Sequence, residues 1–298
     1  QTKQTLESFD INTYKQILGS TKQLIIDELH LASDPGRIVK IIYDQIPEIQ
    51  LIVTGSSALH IKNKSTESMA GRKIEYQLFP LTFSEYLVQK GITQQANFNI
   101  LENCLQQSTS KAHLFSAKDI ASHLLLYGSY PETLNIPSQQ LYLENLADSA
   151  IFKDIVELNL IDNRSKAKDL LRLLAYQVGN LINYSEIGNR LSIDRRTVER
   201  YIDIFEQSFI VFRVYPYSKK GRDEIGKSPK IYLSDTGLAL NLLGKDRKIL
   251  RDEQGLIGPL LENLVVNEVK KQLSWSKSRA KAFYLRAETG QEVDLILE

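Results

Sequence analysis

Short apolar runs and longer amphipathic stretches alternate along the first part of the chain. Leu24-Ile25-Ile26 and Leu51-Ile52-Val53-Thr54 are continuous apolar runs with polar residues at their ends, the pattern of buried strands. Between them, Gly36–Ile46 sets Ile38, Ile41, Ile42 and Ile46 at helical spacing and predicts a crossover helix. Strand, helix and strand in that order predict a parallel pair with a right-handed crossover. A third strand is predicted over Lys73–Leu78, before Phe79-Pro80-Leu81.

From Phe83 to about Asp162 the pattern is helical, interrupted by a turn at Gly128-Ser129-Tyr130-Pro131. Helices are predicted over Gln140–Leu158 and Lys166–Gly179, with Gly179 closing the second. Ser185 is the predicted cap of a short helix, Glu186–Leu191, and Asp194 of a second, Arg195–Gln207. In the second helix Val198, Tyr201, Ile202 and Phe205 share one face, while Arg195, Arg196, Glu199 and Arg200 look outward. Strands predicted over Phe209–Tyr217 and Lys230–Leu233 flank a charged loop and complete a winged-helix pattern. A long amphipathic helix, Leu260–Leu273, opens the last segment, and Ala282–Arg286 and Glu292–Leu297 read as paired strands.

Composition narrows the chemistry. The 298 residues are 42% hydrophobic, room for two or three domains, and no run approaches the roughly 18 apolar residues of a membrane span. A cytoplasmic protein without a membrane partner is expected. The lone Cys104 rules out an internal disulfide framework and a cysteine-built zinc site, and the four His residues lack ligand spacing. The net charge of +1 conceals a basic stretch: Arg164–Lys230 holds 14 Lys/Arg against 8 Asp/Glu, which marks either a nucleic-acid face or a solvated helical surface.

The strand tips carry the candidate chemistry. Open α/β sheets bind ligands at the carboxyl ends of their strands, where Asp27-Glu28 follows the first run and Thr54 ends the second. A magnesium-nucleotide site needs one carboxylate for the metal's water shell and another group to orient or deprotonate the attacking water. Asp27 suits the first role and Glu28 the second, with Thr54 placed to position the same water; a capped helix start also explains an Asp-Glu pair. The phosphate-binding loop that should precede these strands is not found upstream. Gly221-Arg222-Asp223-Glu224-Ile225-Gly226-Lys227-Ser228 satisfies the written pattern of such a loop, but Pro229–Leu233 after it reads as a strand, not as the helix whose amino terminus would face the phosphates. It is read as a wing loop. Met69 is the only methionine, so the protein's start and its phosphate loop are expected before Gln1, and the chain as given is expected to bind ATP weakly or not at all.

Leu24–Glu28, Thr54–Ser57, Ala70–Arg72 and Phe79–Tyr86, continued by Tyr127–Glu132, Lys153-Asp154, Thr197–Tyr201, Pro229–Gly237, Glu262-Asn263 and Gly290–Asp294, together resemble a large group of prokaryotic AAA-type ATPases. In those proteins the carboxyl half contains a winged helix and a restriction-endonuclease-like domain. The resemblance implies a partial P-loop NTPase-like parallel α/β sheet over 1–88 and a helical lid or linker over 89–162. A winged helix-turn-helix over 163–236 and a partial α/β nuclease-like domain over 237–298 would follow. It implies ATP and Mg as cofactors, Asp27 as magnesium ligand, Glu28 as water activator, Thr54 as sensor and Arg72 as a charge stabiliser near the phosphates. Glu262 and Asp294 resemble the first two acidic positions of a nuclease-like core, a possible second Mg site, with Glu292 on the same strand face as Asp294. The lysine of such a site is expected on a strand after Glu298.

In the helix-turn-helix, Arg195, Arg196 and Arg200 are candidate phosphate contacts for DNA, with Thr197 or Glu199 near base edges. Glu199, Asp203 and Glu206 on the same exposed face fit a protein partner, or a second copy of the chain, equally well. The expected function is an ATPase whose nucleotide switch acts on the winged-helix and nuclease-like module. The alternatives are a DNA-binding regulator with a vestigial ATPase core and a Mg-dependent nuclease.

Overall fold

The computed structural model describes residues 2–55, 71–94, 116–147, 161–218, 228–245, 248, 254–276, 280–286 and 291–298. Ser56, Ser57, Ala70, Lys153-Asp154, most of the predicted Gly221–Ser228 wing loop and Glu288-Thr289-Gly290 between the last two predicted strands lie outside these residues. The chain divides into two units, Gln1–Tyr76 and Gln77–Glu298. No helix among the described residues is long and apolar enough to cross a membrane.

The first unit opens with α1 (Thr2–Leu6) and α2 (Ile11–Leu18), the latter capped by the Asp10 carboxylate, which accepts the Asn12 and Thr13 N–H groups. β1 (Gln23–Ile26) and β2 (Gln50–Val53) are parallel, with Leu24 opposite Leu51 and Ile26 opposite Val53. α3 (Pro35–Gln45) is the crossover between them; Asp34 caps it and Pro35 presets its first turn. Ile38, Ile42 and Ile46 bury against Tyr14, Ile26 and Leu29. Alternation along the strands leaves Ile25 65% and Ile52 41% exposed. The strand predicted over Lys73–Leu78 does not form: residues 73–79 have no regular secondary structure. Ile74, Tyr76 and Leu78 are among the most exposed apolar residues, so the segment lacks the covered face that a strand needs.

In the second unit α4 (Phe83–Gln89), α5 (Ala117–Tyr127), α6 (Pro131–Asn135) and α7 (Gln139–Asn145) form the helical region. α8 (Arg164–Tyr176) ends before the predicted Gly179, whose N–H is turned to the Ile231 carbonyl. α9 (Tyr184–Leu191) is capped by Asn183, not by the predicted Ser185, because the Asn183 side chain reaches the Glu186 N–H first. α10 (Arg195–Gln207) has the predicted limits, with Asp194 accepting the Thr197 N–H. Phe209 adopts a left-handed backbone (φ 59°), which delays the next strand, β3 (Val211–Pro216), by two residues. β4 (Lys230–Leu233) follows, then α11 (Thr236–Leu242), α12 (Gln254–Trp275), β5 (Ala282–Arg286) and β6 (Glu292–Leu297).

The two strand pairs read separately from the sequence form one sheet in the order β4-β3-β5-β6. β3 pairs antiparallel with β4, Phe212 opposite Tyr232, and parallel with β5 through Tyr215 and Phe283. The core combines Leu170, Leu171 and Leu174 of α8, Val198, Ile202 and Phe205 of α10, Tyr232 of β4 and Leu238 of α11.

A buried polar junction ties the helical region to this core. Asp235 caps α11 through the Leu238 N–H (3.0 Å) and also accepts the Ser129 N–H (2.7 Å), so one carboxylate satisfies two distant backbone donors. Burial pushes its carboxyl above the ordinary range, opposed by these backbone donors and by the Lys271 charge. Lys271 of α12 donates to the Leu81 carbonyl (2.8 Å) and to Ser129 Oγ (3.0 Å). Glu268, one turn-step earlier on the same helix, accepts the Phe83 N–H at the start of α4, where Thr82 and Glu85 form a capping box. Asn263 accepts the Leu233 N–H and Asn267 donates to the Leu233 carbonyl, fixing the end of β4. Two glycines allow the close approach. A Cβ on Gly128 (φ 69°) would lie 1.8 Å from Asp235 Oδ1, and one on Gly237 would lie 2.3 Å from the Tyr127 carbonyl carbon.

Two stability predictions follow from this geometry. Asp235→Ala strands two buried N–H groups and is expected to destabilise the second unit by about 2–4 kcal/mol in urea unfolding monitored by Trp275 fluorescence. Gly128→Ala is expected to destabilise by at least about 3 kcal/mol, but by clearly less in an Asp235→Ala background, where the clashing carboxylate is gone. Equal losses in both backgrounds would mean that positive-φ strain, and not the carboxylate, sets the requirement for glycine.

Candidate functional site

Because β1 and β2 are parallel, their carboxyl ends open on the same edge, and the structure brings Asp27, Glu28 and Thr54 together there. The Thr54 hydroxyl donates to Asp27 Oδ1 and accepts the Glu28 N–H (3.3 Å). The Leu29 N–H bonds the Thr54 carbonyl (3.2 Å), and the Thr54 N–H bonds the Ile26 carbonyl (3.0 Å). Both strand tips are thus stitched across their last residues. Asp27 is exposed, and a hard cation that keeps much of its water shell suits one exposed carboxylate of this kind.

Glu28 is held in a left-handed conformation, φ 50° and ψ 40°, that residues other than glycine adopt at a cost of about 1 kcal/mol or more. Its Oε2 lies 3.1 Å from Nδ1 of the buried His30, on the short 3-10 turn Leu29–Leu31. The approach is close enough for an ion pair but not aligned as a hydrogen bond, for which His30 Nδ1 has no partner. No sequence signal pointed to His30, since its relevance depends on how the chain turns after β1. Arg72 is not in this group: its guanidinium pairs with Asp44 (3.0 Å) and lies over the Tyr43 ring, both on α3.

A second constellation sits in the other unit. Glu262 of α12 and Glu292 and Asp294 of β6 all converge on the ammonium of Lys230, the first residue of β4, at 3.2, 2.7 and 2.7 Å. The Lys230 side chain is 3% exposed. Tyr232, two residues along the same strand, donates its hydroxyl to Glu262 (2.6 Å). Burial alone would lower the Lys230 pKa; its side-chain interactions with the accepting Asp294 and Glu292 carboxylates and the Glu262 charge outweigh it and hold the ammonium above the usual lysine range. The sequence placed the site's lysine on a later strand and missed Lys230, which a sheet pairing distant in sequence brings in. Among the described residues, no cluster of three or more His, Cys, Asp or Glu is arranged to hold a metal ion.

The outward face of α10 is largely paired within the chain. Arg195 bonds Glu199 (2.8 Å), Arg200 pairs with Asp162, and Arg213 of β3 engages Asp203 and Glu206. Arg196 is exposed and makes no ion pair among the described residues.

Three segments of the chain are similar to known domain families. Residues 1–87 match the model of an AAA domain, residues 118–248 a domain of unknown function, DUF8612, and residues 257–298 another, DUF4143. An uncharacterized protein of Methanocaldococcus jannaschii is 29% identical over 269 residues, 87% of this chain and 55% of the relative. One from Haemophilus influenzae is 24% identical over 228 residues, covering 74% and 52%. One from Mycobacterium tuberculosis is 21% identical over 284 residues, covering 94% and 57%. The chain spans about half the length of the curated relatives it matches. No solved structure matches it. The AAA match over the strand-tip site and the DUF4143 match at the carboxyl end support an AAA-type ATPase-like family for this chain.

Proposed function

We propose that the full protein binds and hydrolyses ATP, with Asp27, Glu28 and Thr54 as one half of the nucleotide site. The observation that carries this reading is the Thr54 hydroxyl bonded to Asp27 and to the Glu28 backbone across two parallel strand tips, inside the segment similar to an AAA domain. Asp27 would hold a magnesium ion, which would supply neutralisation of charge on the phosphates. Glu28 accepts a proton from the attacking water or orients it. Thr54 fixes Asp27 and keeps the Glu28 turn at the strand edge. The Asp44 pair on Arg72 argues against a phosphate role for Arg72 within its own chain.

The second unit, in this proposal, carries a winged helix built from α9, α10, β3 and β4, the element that a nucleotide switch would address. Its helix-turn-helix followed by an antiparallel strand pair favours DNA as one partner. The internal pairing of Arg195 and Arg200 leaves Arg196 to dominate any phosphate contact.

In the full-length protein, Glu28→Gln is expected to leave ATP affinity within about threefold while lowering turnover by about 10²-fold or more. Unchanged turnover, followed by phosphate release, would remove Glu28 from the chemistry. In DNA anisotropy titrations at several salt concentrations, Arg196→Ala is expected to reduce the slope of log K against log salt by about one, and Arg195→Ala by clearly less. Salt-independent binding, or none, would favour a protein partner for this face.

A further inference from the structure

A nuclease-like acidic site implies a divalent metal held between Glu262 and Asp294. The residues present do not fit one. We infer that Lys230 is the resident cation of this site: its ammonium occupies the point where the three carboxylates converge, and the cluster is a charge-locked joint between β4, α12 and β6 that excludes a divalent ion.

Three observations carry the inference. The ammonium donates hydrogen bonds to Asp294 Oδ1 (2.7 Å) and Glu262 Oε1 (3.2 Å) and forms an ion pair with Glu292 Oε1 (2.7 Å), so its charge is met by three carboxylates on different side chains. A metal would need those oxygens at about 2.0–2.6 Å from its own centre, the place taken by Nζ. Second, the lysine has no simple route out. Its side chain is 3% exposed, and its ammonium lies 5.8 Å from the Tyr284 ring, whose hydroxyl is tied to the Ser228 carbonyl (2.7 Å). Evicting it would leave a cation to be rehoused or a buried charge unpaired. Third, Glu262 is held from another side: the Tyr232 hydroxyl donates to the same Oε1 that accepts from Lys230, so moving this carboxylate to a new ion would break two hydrogen bonds. The surplus negative charge lies on Glu292 and Asp294, whose side chains are 34% and 54% exposed, so solvent screens it.

The arrangement has a functional consequence. A lysine engaged by three carboxylates is not available to an attacked phosphate, so this joint contributes cohesion and not cleavage. It ties the β5–β6 pair, which otherwise reaches the sheet through a short parallel register with β3, to β4 and α12.

The test is metal binding by the chain itself. Free Mn²⁺ measured by electron paramagnetic resonance, and thermal melts in millimolar Mg²⁺ or Mn²⁺, are expected to show no ion bound at this site in the wild type and no metal-dependent rise in Tm. Lys230→Met is expected to lower the Tm in metal-free buffer, to gain Mn²⁺ affinity about tenfold or more over the wild type, and to recover part of its Tm with metal. Glu292→Gln, which keeps the lysine and removes one carboxylate, is expected to remain folded and metal-free should Lys230→Met fail to fold. Stoichiometric Mn²⁺ binding by the wild type that is lost in Asp294→Asn would overturn the inference. So would a Lys230→Met variant that folds with an unchanged Tm and no gain of metal.

Discussion

The second unit depends on burying one carboxylate among backbone groups that come from far apart in the chain. Asp235 is covered almost completely, and a carboxylate in such a place is tolerated only when its acceptor capacity is filled. The Ser129 and Leu238 N–H groups fill it, Lys271 supplies the nearby positive charge, and the absence of a side chain at Gly128 permits the approach. The partners come from three separate elements: Ser129 follows α5, Leu238 lies in the first turn of α11, and Lys271 stands on α12. Removing any of them leaves a buried group unsatisfied, so the helical region and the sheet core are bound by a requirement for mutual satisfaction and not by apolar contact alone.

This junction recasts the resemblance read from the sequence. Phe79–Tyr86, Tyr127–Glu132, Pro229–Gly237 and Glu262-Asn263 are widely separated in the chain and include residues, such as Ser129 and Thr82, with no evident chemistry. In the fold they meet. Thr82 and Glu85 cap α4, Ser129 binds Asp235, and Asn263 closes β4, so much of what identifies the sequence is architecture. The candidate chemistry is concentrated in the few residues that follow β1 and β2.

What was legible follows the range of the interaction. The β1–α3–β2 unit, the limits of α10 and the Asp194 cap are local, and periodicity and capping revealed them. Lys73–Leu78 has strand-like composition, but a strand needs a partner, and composition does not supply one. Ser185 and Asn183 are both acceptable caps by type, and only the side-chain reach to the Glu186 N–H decides between them. At the candidate sites, Asp27, Glu28 and Thr54 were found because strand tips are predictable, whereas His30 depends on a turn and Lys230 on a sheet that joins two strand pairs. Glu262 and Asp294 were expected together as a magnesium site, and the structure places both against Lys230.

The backbone at Glu28 sets stability against purpose. A left-handed residue at the end of β1 would be most comfortable as glycine, which would relax the turn and steady the first unit. The chain instead keeps a long acidic side chain in a conformation that disfavours it, next to a buried imidazole. A sequence optimised for the fold alone would discard that residue. Under the role proposed for Glu28, position 28 is a place where greater durability and activity pull in opposite directions, and where stabilising selection in the laboratory would erase function first.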